Sequence, residues 1–243
     1  MRIVSWNIQH LEQYDRSVGF EEALNKMLED INADVLLLQE VDVNKARTDH
    51  QDQLEAISNL IGAGLHQFKE TRLIPAEDGK YGIGIASKVK VIEWQSIDLP
   101  RSPIGRRMTF EFGGEPQTFY VNDHSRAAIA AVLETGYCVV NTHLSFMPIA
   151  AHLQSIRVVL WGRRIAKRHN TKLVVGGDFN FVASSWLRAL GLKDAVIGKT
   201  FPAWKPEKQI DHFMVSKDVQ VIANEIGKQG PISDHRWISI DTK

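Results

Sequence analysis

The chain has 243 residues, 44% of them hydrophobic and 24% charged, a composition that excludes the disordered, collagen-like and low-complexity classes. Twenty-nine basic residues balance 29 acidic ones, so the formal net charge is zero and nucleic-acid binding through overall charge alone is excluded, while phosphate chemistry stays open. A lone Cys138, set in Tyr137-Cys138-Val139-Val140, excludes an intrachain disulfide and reads as a buried thiol.

Residues 3–6 form an apolar run that reads as a first strand. Phe20, Leu24, Met27, Leu28 and Ile31 then mark one face of a helix, and residues 35–38 a buried strand. Leu54, Ile57, Leu60 and Ile61 predict a second helix stopped by Gly62 and Gly64, followed by a loop with Pro75, Asp78 and Gly79. The middle of the chain is β-rich, with strands expected over residues 81–87, 89–94, 108–112 and 118–121, the last two joined through Gly113-Gly114 as a hairpin. Gly82 and Gly84 lack a following helix and read as close packing in a strand rather than a phosphate loop.

Another apolar run, residues 137–141, precedes a helix with the face Leu153, Ile156, Leu160, Trp161 and Ile165. Its basic end, Arg163, Arg164, Lys167 and Arg168, compensates the helix dipole better than it makes a nucleic-acid patch. A strand over 173–175, a short helix over 184–190 and strands near 210–215, 219–223 and 237–240 complete the pattern. Many strands with few helices predict two sheets in a single α/β domain spanning residues 1–243. No signal-like segment precedes Ile3 and no apolar run approaches a membrane span, so a cytoplasmic monomer with no implied protein partner is expected.

Polar groups crowd the ends of these runs. Asn7 follows the first, Gln39-Glu40 the second, His143 the run ending at Thr142, and Asp178 and Asn180 follow Gly176-Gly177. Asp211-His212 and Asp234-His235 stand near the C-terminus. Each alone fits a turn, a cap or a structural histidine. Together, carboxylates, amides and imidazoles without cysteine describe a site for a hard cation with acid/base groups beside it, Mg²⁺ or Mn²⁺ rather than zinc, for which no ligand spacing is present.

Ser5-Trp6-Asn7, Leu38-Gln39-Glu40-Val41, Asn141-Thr142-His143-Leu144, Gly177-Asp178-Phe179-Asn180, Ile210-Asp211-His212 and Ser233-Asp234-His235, in this order, resemble the endonuclease/exonuclease/phosphatase superfamily from Ile3 to Trp237. The resemblance implies a four-layer sandwich, two mixed β-sheets packed face to face with helices outside, and metal-dependent hydrolysis of phosphate esters. It assigns Glu40 as principal Mg²⁺ ligand with Asn7 and Asp234 beside it, Asp178 to the attacking water, and Asn180 to that water or a phosphate oxygen. His235 is implied as the phosphate-binding acid/base group, Asp211 as its partner, and His143 as a second imidazole donating to the phosphate or the leaving oxygen. The identity of the base stays open. Gln39-Glu40-Val41-Asp42 and the His143 motif depart from the abasic-site endonucleases of the superfamily, which disfavours abasic-site repair. Residues 42–53, with Arg47, Asp49, His50 and Asp52, resemble the polar loop of small bacterial members and equally fit a solvated loop. Arg101, Arg106, Arg107 and Arg126 offer a local patch for phosphate. The leading expectation is a phosphodiesterase with nuclease activity on DNA or RNA; a small-molecule or lipid-headgroup phosphatase is the alternative, and a non-catalytic binding module of the same fold ranks below both.

Overall fold

The computed structural model describes residues 1–71, 78–112, 115–182 and 185–243. The first part of the chain forms β1 (Arg2–Asn7), α1 (Phe20–Ile31), β2 (Val35–Val43), α2 (Gln53–Leu60), β3 (Leu65–Glu70), β4 (Lys80–Ser87) and β5 (Val91–Leu99). A hairpin of β6 (Arg106–Phe112) and β7 (Glu115–Val121) follows, then β8 (Arg126–Leu133), β9 (Tyr137–His143), α3 (Pro148–His169) and β10 (Lys172–Asp178). The chain closes with α4 (Ser185–Ala189), β11 (Leu192–Asp194), β12 (Asp211–Ser216), β13 (Val221–Ile226) and β14 (Ile238–Thr242). Helix ends follow local chemistry. The Asp52 carboxylate accepts the Glu55 N–H at 3.0 Å and caps α2, and α1 and α3 both stop at an asparagine in the left-handed region, Asn32 and Asn170.

Two mixed six-stranded sheets result, in the orders β13-β14-β1-β2-β4-β3 and β11-β12-β10-β9-β8-β5. Strand alternation divides the apolar residues into three layers. Ile3, Val35, Leu37, Ile83 and Ile85 of the first sheet meet Ala127, Ile129, Val139, Val174 and Phe213 of the second between the sheets. Val4, Leu36 and Leu38 face α1 and α2 on one outside, and Ala128, Ala130, Val140 and Val175 face α3 on the other. The four-layer sandwich with helices outside is therefore realised. Cys138 is free and buried, and burial pushes its thiol up to about 12.

Several boundaries differ from the sequence reading. β2 runs on to Val43 through the polar Gln39-Glu40 because its pairing with β4 continues to Lys80. β5 starts at Val91 rather than 89. β3, β8 and the three-residue β11 were not expected; β8 is Arg-Ala-Ala-Ile-Ala-Ala-Val-Leu, and alanine is a poor strand signal whose small side chain here lets the sheets close. Gly84 lies in β4 as expected, where a Cβ would meet Leu54 of α2 at 2.7 Å. The loop at Pro75, the Gly113-Gly114 turn and Ser184 at the start of the short helix lie outside the described residues. The hairpin pairs from Arg106↔Val121 to Phe112↔Glu115, apart from both sheets. Among the described residues, no helix is long and apolar enough to cross a membrane.

A buried polar bridge crosses the middle layer. Asn141 of β9 donates through Nδ2 to the carbonyls of Leu38 and Gly84 in the opposite sheet, both at 2.8 Å, and its Oδ1 accepts from Gln39 Nε2 at 2.7 Å. Removing a buried partner leaves carbonyls without donors, which costs more than the net worth of the bond. Asn141→Leu should accordingly lower unfolding stability by about 3 kcal/mol, measured by urea denaturation; a loss below about 1 kcal/mol would show that the bridge is dispensable.

Candidate active site

The parallel pairs β1–β2 and β9–β10 end on the same edge of the sandwich, and their registers set the polar residues side by side. Asn7 lies opposite Gln39, and Asp178 lies between His143 on β9 and Asp211 on β12. Simple alternation would send the Glu40 side chain toward α1 and α2, the direction of Leu36 and Leu38. Instead the β2–β4 register shifts between Gln39 and Val41, and Glu40 takes φ 58°. It is the extra residue of a bulge, which turns its carboxylate to the strand ends. Gly177, at φ 140°, passes so close to the backbone of Thr142 that any Cβ would collide with it, and so only glycine brings Asp178 up beside His143.

Asn7 Nδ2 donates to Glu40 Oε1 at 3.0 Å and to Asp178 Oδ2 at 3.0 Å, while Asn7 Oδ1 accepts the Gln9 N–H at 3.0 Å. Asp178 Oδ1 accepts the Asn180 N–H at 2.8 Å, and Asn180 Nδ2 donates to the Leu144 carbonyl at 3.0 Å. Two imidazoles approach Asp178 Oδ2: His143 Nε2 at 3.5 Å and His235 Nε2 at 3.8 Å. The other side of His235 is held by Asp211, whose Oδ2 lies 2.9 Å from Nδ1 and also accepts from Thr200 Oγ1 at 2.6 Å. Ser233 Oγ donates to the Asn7 carbonyl at 2.6 Å and accepts the His235 N–H at 3.1 Å, and Gln9 Oε1 accepts the Asp234 N–H at 3.1 Å. These two contacts lock the C-terminal motif onto the first one.

The electrostatics separate the two imidazoles. Burial opposes charge on His235, but Asp211, with Asp178 and Asp234 behind it, outweighs burial and raises its pKa to about 10. Burial also opposes charge on His143, where Arg126, His124 and His235 add to the effect, and its pKa falls well below the ordinary value. His235 is thus an imidazolium and His143 a neutral ring at pH 7. Asp178 rises to about 7, chiefly through burial and with Asp211 adding to it, against the opposing pull of His235 and the hydrogen bonds from Asn180 and Asn7. Asp234 rises to about 6, again chiefly through burial, with Glu40 contributing.

All eight residues singled out in the sequence, Asn7, Glu40, His143, Asp178, Asn180, Asp211, Asp234 and His235, meet here. Six of them line a cleft of about 770 Å³, with Asn7 and Asp211 behind its wall. Ligand atoms of Glu40, His143 and Asp178 lie within 4.8 Å of one another, as do those of Asp178, Asp211 and His235. Crowded carboxylates whose protons are held by burial, next to an amide, make a donor set that fits a hard divalent cation. The arginine patch divides. Arg101, Arg106 and Arg126 line the cleft and Arg107 does not. Arg126 is buried there, with Asp123 3.8 Å away and its Nε without a hydrogen-bond partner. In the loop after β2, Arg47 instead makes two hydrogen bonds to buried Asp42, the shorter at 2.5 Å, a structural role. His212 is likewise structural, bound to Asp194 and to the Phe181 carbonyl. Thr200 and Tyr81, which lines the cleft with Glu40, escaped the sequence reading. Tyr81 stands opposite Asp42 in the register just past the bulge, a position that only the β2–β4 pairing reveals.

The model of the Endonuclease/Exonuclease/phosphatase family matches residues 4–235, and the chain belongs to that family. A mannosyl-6-phosphatase from Bacteroides thetaiotaomicron VPI-5482 superposes with a TM-score of 0.70 at 13% identity, over 100% of this chain and 99% of that one. The human Nocturnin catalytic domain with bound sulfate matches with a TM-score of 0.63 at 19% identity, over 100% and 93% of the two chains. An endonuclease/exonuclease/phosphatase from Beutenbergia cavernae DSM 12333 matches with a TM-score of 0.65 at 19% identity, over 100% and 71%. Comparison with curated proteins gave no match. At these identities the structural likenesses establish the fold.

The state of His235 is directly measurable. A pKa raised from 6.5 to about 10 in the folded chain means that the charged ring adds stability below pH 6.5 and that this contribution is lost as pH rises through about 10. NMR titration of the metal-free protein should find His235 protonated at pH 8, and Asp211→Asn should move its titration down by more than one pH unit, roughly. An unmoved titration would remove Asp211 as the cause.

Proposed function

We propose that this member of the Endonuclease/Exonuclease/phosphatase family is a Mg²⁺- or Mn²⁺-dependent phosphodiesterase with nuclease activity on DNA or RNA. The observation that carries the reading is the shared amide of Asn7, 3.0 Å from a carboxylate of each sheet, beside an imidazolium fixed by buried Asp211. Glu40, with Asn7 and Asp234 beside it, would hold the cation. Bound there, the cation supplies positive charge against the non-bridging phosphate oxygens.

The residues of the chain then divide the remaining work. A phosphodiester repels an anionic nucleophile, so the site must both generate one and neutralise the charge that accumulates at phosphorus. Asp178, with a pKa near neutrality, takes a proton from the attacking water while that water forms its bond to phosphorus. Asn180, turned by φ 55° toward the cleft, holds the water or an equatorial oxygen. As the bond to the leaving oxygen breaks, the charged His235 gives that oxygen its proton, and Asp211 keeps the ring oriented. His143, neutral, offers one N–H to a phosphate oxygen. Proton donation to the leaving oxygen, open to His143 in the sequence, thus passes to His235 on electrostatic grounds. Arg101, Arg106, Arg126 and Lys208 on the walls favour a substrate with negative charge beyond the reacting phosphate.

A small-molecule or lipid-headgroup phosphatase is the second reading, supported by the likeness to a mannosyl-6-phosphatase and by the zero net charge. A panel of phosphomonoesters, small diesters, DNA and RNA, each assayed with Mg²⁺ and with Mn²⁺, separates the two. Faster turnover of any diester or nucleic acid than of every monoester supports the first, and the reverse order supports the second.

Three variants test the assignments. Glu40→Gln should lower kcat/KM on the best diester by at least about 100-fold and weaken activation by Mg²⁺; wild-type metal dependence in that variant would exclude Glu40 as the ligand. His235→Ala should damage an alkyl diester far more than a nitrophenyl diester, whose leaving group needs no proton, whereas His143→Ala should cost both alike. The opposite pattern would return proton donation to His143.

A further inference from the structure

Two large aromatic side chains stand outside all three apolar clusters; neither lines the cleft, but Trp204 adjoins Ala203, whose N–H donates to the carbonyl of cleft-lining Asp234. Tyr14 and Trp204 are each 50% exposed, with ring centroids 5.2 Å apart and planes tilted by 51°. Trp204 sits in the turn closed by the pairing of Phe201 with Lys208, two residues that line the cleft. The turn is stiff. Ala203 N–H donates to the Asp234 carbonyl at 2.7 Å, Arg236 Nε donates to the Ala203 carbonyl at 2.8 Å, and Glu207 N–H donates to the Phe201 carbonyl at 2.8 Å. Tyr14 is fixed from the other side by its N–H, which donates to the Pro231 carbonyl at 2.8 Å. The turn that carries Trp204 is therefore anchored to the backbone of a proposed site residue, Asp234.

Large apolar rings gain from leaving water, and the core could have received them. Here they stand half-exposed and tilted by 51° against each other, so that a flat group could cover the exposed part of either ring. Near them Lys208 lines the cleft, while exposed Lys205 lies 3.6 Å from Glu207. Rigid aromatic faces combined with cations along a phosphate site are the means by which single-stranded nucleic acid is held without sequence readout, each base having a π-face to offer. An acyl chain would gain nothing from flat, paired rings over any other apolar surface.

We propose that Tyr14 and Trp204 form a stacking platform for the nucleobase next to the reacting phosphate, so that the substrate is a single-stranded nucleic acid or nucleotide diester. The inference rests on the phosphodiesterase reading above and narrows its substrate. Base–aromatic stacking is worth enough to change affinity by about tenfold per base. The test is binding of two short fluorescent phosphorothioate oligomers, one of thymidine and one of abasic tetrahydrofuran units, measured by anisotropy with Mg²⁺ present. Wild type should bind the thymidine oligomer about tenfold more tightly than the abasic one. Trp204→Ala should bring that ratio close to one, and Trp204→Phe should keep most of it, with circular dichroism melts confirming that both variants fold. A wild-type ratio near one, or a ratio retained in Trp204→Ala, overturns the platform. The ratio does not depend on turnover, so a protein that cleaves no diester would refute the phosphodiesterase reading and still leave the platform to be judged by binding.

Discussion

The side-chain amide of Asn7 donates its two hydrogens to two carboxylates that come from different sheets, Glu40 of β2 and Asp178 of β10. Without such a donor, buried Asp178 and half-buried Glu40 would stand with no group between them to offset their charges. Everything around the amide serves to keep it in place. Its oxygen is held by the Gln9 N–H, its backbone carbonyl by Ser233, and Gln9 in turn holds Asp234. One residue thus joins the first motif of the chain to the last and both sheets to each other. Further in, the Gln39–Asn141 bridge repeats the device with neutral groups.

Local backbone strain concentrates in the same place. Glu40, Asn180 and Ser233 are non-glycine residues with φ of 58°, 55° and 69°, and Gly177 takes 140°. Such conformations cost of order 1 kcal/mol each and persist where the surroundings over-determine them. Here the surroundings are the bulge of β2 and the loops that follow β10 and precede β14, each of which turns side chains toward the cleft. The result is a rigid constellation in which one imidazole is kept charged by Asp211 and the other is kept neutral by burial and by positive neighbours. Two chemically identical side chains therefore offer different protonation states in one cleft.

The sequence carried the site more clearly than the scaffold. Asn7, Glu40, His143 and Asp178 each follow an apolar run, and the end of a run is visible in a single chain because hydrophobicity stops there. What a run cannot show is the register between strands. The bulge that turns Glu40 depends on β2 pairing with β4, and the closeness of Thr200 to Asp211 depends on a loop folding back over 11 residues. β8 went unread for the opposite reason: its alanines carry little strand signal alone, and their use lies in the space they leave for the facing sheet. The arginine patch was visible as composition only, and the fold assigned Arg126 to the buried wall and Arg107 elsewhere.

The central claim proposed is that the strand ends assemble one divalent-cation site around Glu40, with Asn7 and Asp234 beside it. Anomalous diffraction from crystals soaked in Mn²⁺ tests it directly, because the signal locates the ion without reference to activity. The account predicts an anomalous peak within coordination distance of a Glu40 carboxylate oxygen, at the mouth of the cleft and beside Asp178. A Mn²⁺ peak elsewhere on the chain with none at Glu40 would contradict it.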